Sequence, residues 1–156
     1  MTSTITARAQ ALGLALEPAG GPAANYVSKV QVGDLLFISG QVPRQNGQAA
    51  WVGRVGDTLS EDEGRQAARQ AALGVLAHVA DAVSDDMARV VRVARLGVFV
   101  ACPPDFTRQS VVADGASDLM VEVFGDAGRH ARTAVGVASL PRGVAVEVEA
   151  IIQIKP

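Results

Sequence analysis

Residues 131–152 read Ala-Arg-Thr-Ala-Val-Gly-Val-Ala-Ser-Leu-Pro-Arg-Gly-Val-Ala-Val-Glu-Val-Glu-Ala-Ile-Ile: two apolar runs around a Leu140-Pro141-Arg142-Gly143 turn signal. An arginine interrupts the first run and two carboxylates interrupt the second. A strand that alternates apolar and polar positions has one buried face and one exposed or functional face. In the second run Val144, Val146, Val148, Ala150 and Ile152 share one side, and Glu147 and Glu149 point to the other. In the first run Arg132, Ala134, Gly136 and Ala138 share a side, so small residues leave room around the guanidinium. That arrangement suits a pocket wall, although exposed charges on a hairpin are commonly surface residues or a weak ion pair.

A four-residue loop pairing Ser139 with Val144 would set Ala134 opposite Glu149 and Gly136 opposite Glu147. Arg132 would then lie about 13 Å along the strand from Glu147. Cross-strand pairing cannot join these two residues. A shared site requires a bend in the chain or a neighbouring subunit.

The flanking sequence fills in the rest of an α+β domain. Residues 3–14 fit a short helix with Ala7, Ala11 and Leu14 at helical spacing, followed by a Pro/Gly/Ala-rich connection over 17–24. From Tyr26 the pattern becomes extended: 27–32, a Gly33-Asp34 turn, then 35–42, where Leu35 to Ile38 is apolar on both sides and suits a central strand. Gly40 after Ser39 marks a bend or a close approach. Residues 43–58 read as a loop with Trp51 as a lid over the core. Ser60-Glu61-Asp62-Glu63 is a capping box that starts a helix with Ala67, Ala68, Ala71, Leu76, Val79, Ala80 and Val83 on its apolar stripe. Glu61, Arg65 and Arg69 form an i,i+4 ladder facing water. A strand over 87–100 follows, with Arg89, Arg92 and Arg95 as rim or interface charges. Asp105 is placed to cap a further helix, whose stripe is Val112, Ala116, Leu119, Met120 and Val123 and whose end is Gly125. The expected order is helix, two strands, helix, strand, helix, two strands, with the two long helices on one face of a mixed sheet.

Composition narrows the function. A chain of 156 residues with net charge −2 is the size of one domain. Twelve arginines and two lysines form no run that would track a phosphate backbone, which argues against nucleic acid as a partner. The aliphatic composition favours oligomerisation to hide apolar surface. Cys102 is the lone cysteine, so an internal disulfide and a multi-cysteine metal site are both excluded, and a reducing, cytoplasmic setting fits. No signal-peptide core and no run of 18 apolar residues is present, so no membrane association is expected. Ser39 lacks His and Asp partners for a nucleophilic triad. His78 and His130 form no convincing acid–base pair, although His130 stands two residues from Arg132. The glycines at 53 and 56 do not bridge a strand to a helix as a nucleotide cradle would.

Several separated motifs coincide with one pattern: 35–43 (Leu-Leu-Phe-Ile-Ser-Gly-Gln-Val-Pro), 97–100 (Gly-Val-Phe-Val), Asp105-Phe106, Ala131-Arg132, Leu140-Pro141, and 146–151 (Val-Glu-Val-Glu-Ala-Ile). Together they make the chain resemble the Rid family, the YjgF-type or L-PSP-type reactive-intermediate imine/enamine deaminases, from Tyr26 to Ile154. The resemblance implies a single domain over 1–156, with a helix-and-loop extension over 1–25 and a core over 26–156. It implies a chorismate-mutase-like fold assembled as a homotrimer with pockets between subunits. It puts the family's carboxylate-gripping arginine on Arg132 and its water-handling glutamate on Glu147. Tyr26, Ser39 and Gly40 become pocket residues, with Ala134 beside Arg132. The implied reaction is hydrolysis of 2-aminoacrylate-like imines or enamines to 2-oxo acids and ammonia, with no metal or organic cofactor. The other readings are a non-enzymatic binder of a small carboxylate or protein partner and, less favoured by the charge balance, an endoribonuclease. The segment 106–132 is longer than in the smallest members, and it bears on the shape of the pocket.

Overall fold

The computed structural model describes residues 3–156. Its main sheet has the order β1-β2-β7-β5-β6, built from β1 (Lys29–Val32), β2 (Leu35–Gln41), β5 (Val90–Ala101), β6 (Ala131–Val137) and β7 (Val146–Ile154). Helices α2 (Glu61–Ala82) and α3 (Gln109–Phe124) lie together on one face, and a short α1 (Ile5–Ala11) joins that layer with Ile5 and Ala9 fully buried. A small hairpin, β3 (Arg44–Gln45) with β4 (Gln48–Ala49), occupies part of the stretch expected to be loop; Asn46 and Gly47, both at positive φ, make its tight turn.

The alternation read in β7 is the alternation observed: Val146, Val148, Ala150, Ile152 and Ile154 are buried under the helices and the intervening residues are half-buried. They meet Leu96, Val98 and Val100 of β5 and, from the helices, Leu76, Leu119 and Met120 in one continuous core. Gly115 lets α3 cross close over α2, since a Cβ at that position would overlap the backbone carbonyl of Arg65. The Ser60 capping box is present in both directions, with Ser60 N donating to Glu63 at 2.7 Å and Glu63 N donating to Ser60 Oγ at 3.2 Å.

Three expectations are corrected. The last two strands are not a hairpin. β5 lies between them, parallel to β6 and antiparallel to β7, so Ala134 stands beside Val98 and Glu149 beside Gly97. The cause is the α3 crossover, which returns the chain beside β5 in the same direction, while the twelve-residue β5 is apolar enough to be central. The connection over 138–145 then steps across β5 instead of turning back on β6, with Arg142 and Gly143 at positive φ making the turn. Asp105 does not cap α3: that helix starts at Gln109, with Arg108 at its N-cap and no side-chain capping bond. The Glu61/Arg65/Arg69 ladder is directed at the neighbouring helix segment rather than along its own. Glu61 pairs with Arg108, Arg65 with Asp118 at 3.9 Å and Arg69 with Glu122 at 2.7 Å.

The opposite face of the sheet carries no helix. Val30, Phe37 and Val135 are exposed there at 49%, 38% and 40%.

Candidate active site

β1 is shorter than β2, and this opens the site. The last contacts along that edge are Ser39 N to Ser28 O at 2.9 Å and Ser39 Oγ to Val27 O at 2.8 Å, and beyond them the outer edge of β2 is uncovered. Between Ile38↔Ala150 and Gln41↔Val148 the β2–β7 register slips by one residue, a bulge that re-aims Ser39 and Gly40. A cleft of about 140 Å³ follows that free edge. Tyr26, Ser39, Gly40 and Glu147 all line it, so four of the six expected site residues are gathered in one place.

Gly40 has a specific reason to be glycine. The Glu147 carboxyl lies directly on it, and a Cβ there would overlap Oε1. Burial, and secondarily the Glu149 carboxylate, holds the Glu147 carboxyl above its ordinary pKa. Among the described residues it has no ion-pair or hydrogen-bond partner. Glu149, two residues on, packs over Gly97 and is paired with Arg95 at 3.4 Å, on a different part of the open face. The two carboxylates are thus distinguished by their surroundings: Glu147 is free to handle a proton, and Glu149 is held by a guanidinium.

Arg132 and Ala134 are elsewhere within the protomer. Arg132 is level with the buried Leu96, so it projects to the helix-covered side of edge strand β6, whereas Glu147 projects to the open side two strands away. Its Nη1 donates to Asp114 Oδ1 at 2.9 Å and Ser117 Oγ at 3.1 Å, and its Nη2 donates to Ser110 O at 3.2 Å. Of the five guanidinium N–H groups, these bonds leave Nε–H and one Nη2–H. His130 extends the same network, bridging Ser117 Oγ at 2.9 Å and Gly128 O at 2.6 Å. Burial holds its imidazole below the usual pKa; the Gly128 carbonyl opposes this and Arg132 adds to it.

Three residues that the sequence reading did not place in the site also border the cleft: His78, Arg44 and Arg142. His78 is only 2% exposed, and its Nδ1 is buried without a partner. Burial, then Lys29, push its pKa down, with Asp81 pulling the other way and Arg44 adding a smaller push down. A polar residue inside the apolar stripe of α2 was the available signal. For Arg142 the signal was the turn itself, since Leu-Pro-Arg-Gly fixes where the side chain departs.

The family described as "YjgF/chorismate_mutase-like, putative endoribonuclease" matches residues 6–148. The chain belongs to this family. Protein TCP17 of Trypanosoma cruzi is 48% identical over 151 residues, spanning 96% of this chain and 94% of that protein. The crystal structure of Atu1372 from Agrobacterium tumefaciens, of unknown function, superposes with a TM-score of 0.91 at 42% identity, covering 97% of this chain and 92% of that one. More distantly, TdcF of E. coli with bound serine superposes at 0.58 with 25% identity, covering 88% and 94%. The α+β architecture with its mixed sheet is that of the YjgF/chorismate-mutase-like proteins. No helix among the described residues is long and apolar enough to cross a membrane.

Proposed function

We propose that this YjgF-family protein is a cofactor-independent imine/enamine deaminase that hydrolyses reactive 2-imino acids to 2-oxo acids and ammonia. The observation that carries the reading is Glu147: a half-buried, unpaired carboxyl of raised proton affinity, seated on Gly40 in a cleft shared with Tyr26 and Ser39. Water adds through its oxygen to the C=N carbon, the C–N bond then breaks, and the nitrogen leaves as ammonia. Glu147 takes one proton from the attacking water and passes it to the nitrogen, then relays the hydroxyl proton of the resulting carbinolamine to that nitrogen as the C–N bond breaks, so both water protons leave on ammonia. Ser39, whose own proton is committed to Val27 O, accepts a hydrogen bond from the substrate, and Tyr26 closes the cleft. Positioning supplies much of the acceleration, since an imine is already electrophilic.

The carboxylate grip in this proposal is Arg132, brought by a neighbouring copy together with Ala134. Two features support it. β6 is the sheet's edge strand and its Arg132 keeps two N–H groups free, and the open face with Val30, Phe37 and Val135 is an apolar surface of the kind that copies of a chain cover in one another. We propose a homotrimer in the cytoplasm, acting on a small carboxylate. The serine bound by TdcF is a ligand of that size and chemistry. The ribonuclease reading has less support: His130 is committed to Ser117 and Gly128 and stands away from the cleft that His78 borders.

The test generates imino acids in situ with an amino-acid dehydratase or oxidase and follows 2-oxo acid formation. The protein should accelerate the release, Arg132→Ala should abolish the acceleration, and sedimentation should give three copies. Unchanged turnover in Arg132→Ala removes Arg132 from the mechanism. No acceleration by the wild-type chain overturns the deaminase reading.

A further inference from the structure

The cleft carries more positive charge than a simple imino acid can use. Arg44 and Arg142 both line it, and neither has a carboxylate within ion-pair distance among the described residues. Most other arginines have found partners: Arg54 faces Asp57, Arg65 Asp118, Arg69 Glu122, Arg95 Glu149, Arg108 Glu61, Arg129 Asp126 and Arg132 Asp114. The Arg44 guanidinium lies against Gly20, whose missing side chain makes the space; a Cβ there would come within 2.8 Å of Nη1. Arg142 is held by the backbone, at φ 61 between Pro141 and Gly143, so its side chain leaves the turn on the cleft side. Glu17 borders the adjoining cleft that Arg44 also touches, yet its carboxylate is turned to the Gly47 amide. Glu147 is the one acidic residue lining the cleft itself, and it forms no ion pair with either guanidinium.

His78 is a second, independent observation. It is nearly inaccessible, borders the same cleft, and has a ring nitrogen with no partner. Buried polar groups in folded proteins are ordinarily satisfied, so an orphan in a cleft wall marks a place where a ligand or its water belongs. The charged groups facing this imidazole are Lys29 and Asp81, paired with each other, and Arg44. An anion beside Arg44 would offset the positive field there.

We propose that Arg44 and Arg142, with His78 in the wall between them and the core, form a second anion subsite, and that the substrate is the imine of a dicarboxylic amino acid. This rests on the deaminase reading for the reaction but not for the binding. Arg132 of a neighbouring copy takes the carboxylate next to the C=N carbon, and the subsite takes the side-chain carboxylate. A 2-aminoacrylate-like substrate leaves two guanidiniums unneutralised in a partly enclosed cleft. A second carboxylate gains charge-assisted hydrogen bonds there.

The experiment uses the full chain and two product-like probes of equal reactivity, 2-oxoglutarate and 2-oxobutyrate, with inorganic phosphate as a third. The chain has two histidines, so imidazole NMR reads His78 directly, with His130 as an internal control. 2-Oxoglutarate should bind about ten-fold more tightly than 2-oxobutyrate. It should move the His78 resonances and raise the pH at which they titrate. Arg44→Gln and Arg142→Gln should each erase the preference, and Arg142→Lys should keep most of it, which separates loss of charge from loss of fold. Equal affinity for the two oxo acids overturns the subsite, as does a preference that survives both glutamine variants. Phosphate displacing 2-oxoglutarate at equal concentration overturns its assignment to a carboxylate. If the dicarboxylate preference stands while no imine is hydrolysed, the deaminase reading falls and the subsite remains.

Discussion

At the β6 edge of the sheet, Arg132, Asp114, Ser117 and His130 satisfy one another through bonds of 2.6–3.1 Å that include the Gly128 carbonyl. At the β2 edge, Glu147, Arg44 and Arg142 are without charged partners and His78 has an orphan nitrogen. Both regions are polar and both border apolar packing, so composition does not separate them. What separates them is satisfaction. A buried polar group without a partner costs about 1–3 kcal/mol, a penalty a structural element has no reason to retain. A network that closes on itself is explained by the fold, apart from the two N–H groups that Arg132 leaves open to a neighbouring copy's cleft; a set of groups left open on one cleft is explained by something that binds there.

The sharpest way to break this comparison is to change Glu147, which is open, against Glu149, which is closed by Arg95. Glu147→Gln keeps the shape over Gly40 and removes the proton-handling group, so imine hydrolysis should fall about 10²- to 10⁴-fold. Glu149→Gln, measured in the same coupled assay, should stay within a few-fold of wild type. Equal losses would show that the pair acts through the charge of the open face rather than through the cleft.

The closed network makes the next prediction. Asp114→Ala leaves Arg132 with its bonds to Ser117 and the Ser110 carbonyl only, and should lower stability to urea by about 1 kcal/mol, the discounted value for a partly exposed ion pair. The corresponding change at the open edge, Arg142→Gln, removes no bond within the chain and should leave the urea midpoint unchanged. A destabilised Arg142 variant would mean that the guanidinium is already committed to the fold.

His78 gives a smaller effect with a definite sign. Its folded pKa lies below the unfolded value of 6.5, so the unfolded chain takes up a proton that the folded chain resists. Stability from this group is therefore fully present above pH 6.5 and is lost as pH falls from 6.5 toward the depressed folded value. His130 is shifted the same way and adds a parallel loss. In His78→Leu only the His130 part should remain, so the fall in melting temperature between pH 7 and pH 5.5 should become shallower. At pH 7 the leucine should be neutral or stabilising by up to about 1 kcal/mol, because it removes a buried nitrogen without a partner.

How far the sequence was legible follows the range of the forces involved. Period-two burial in β7, the Ser60 box and the stripes of α2 and α3 were readable because each is set by residues within one or two turns of one another. Strand partnership was not. Nothing local in 131–152 says that β5 will enter between the two runs; that outcome depends on the α3 crossover and on competition for the central position. The same limit divides the candidate site. Glu147 with Ser39 and Gly40 could be grouped by family motif, and the β2 bulge brings them together. Arg132 shares a face with small residues as expected, but that face turned out to lie under α3, where Asp114 and Ser117 of the longer 106–132 segment meet it. Arg44, His78 and Arg142 come from a hairpin, a helix stripe and a turn, and only the folded edge of β2 collects them.

The smallest expected effect tests the same contrast at two helix starts. Ser60 closes a reciprocal box at α2, and Ser60→Ala should cost about 1 kcal/mol, as loss of a side-chain N-cap does. Asp105 has the right residue type for a cap but precedes α3 by four positions, and no side chain caps that helix. Asp105→Ala should therefore change the urea midpoint by no more than about 0.5 kcal/mol equivalent. A cost for Asp105→Ala as large as that for Ser60→Ala would mean that the acid does stabilise the α3 start, through its charge near the exposed amides and without a bond. The absence of a cap at α3 would then be a difference in geometry only, because the electrostatic part of capping would still be in place.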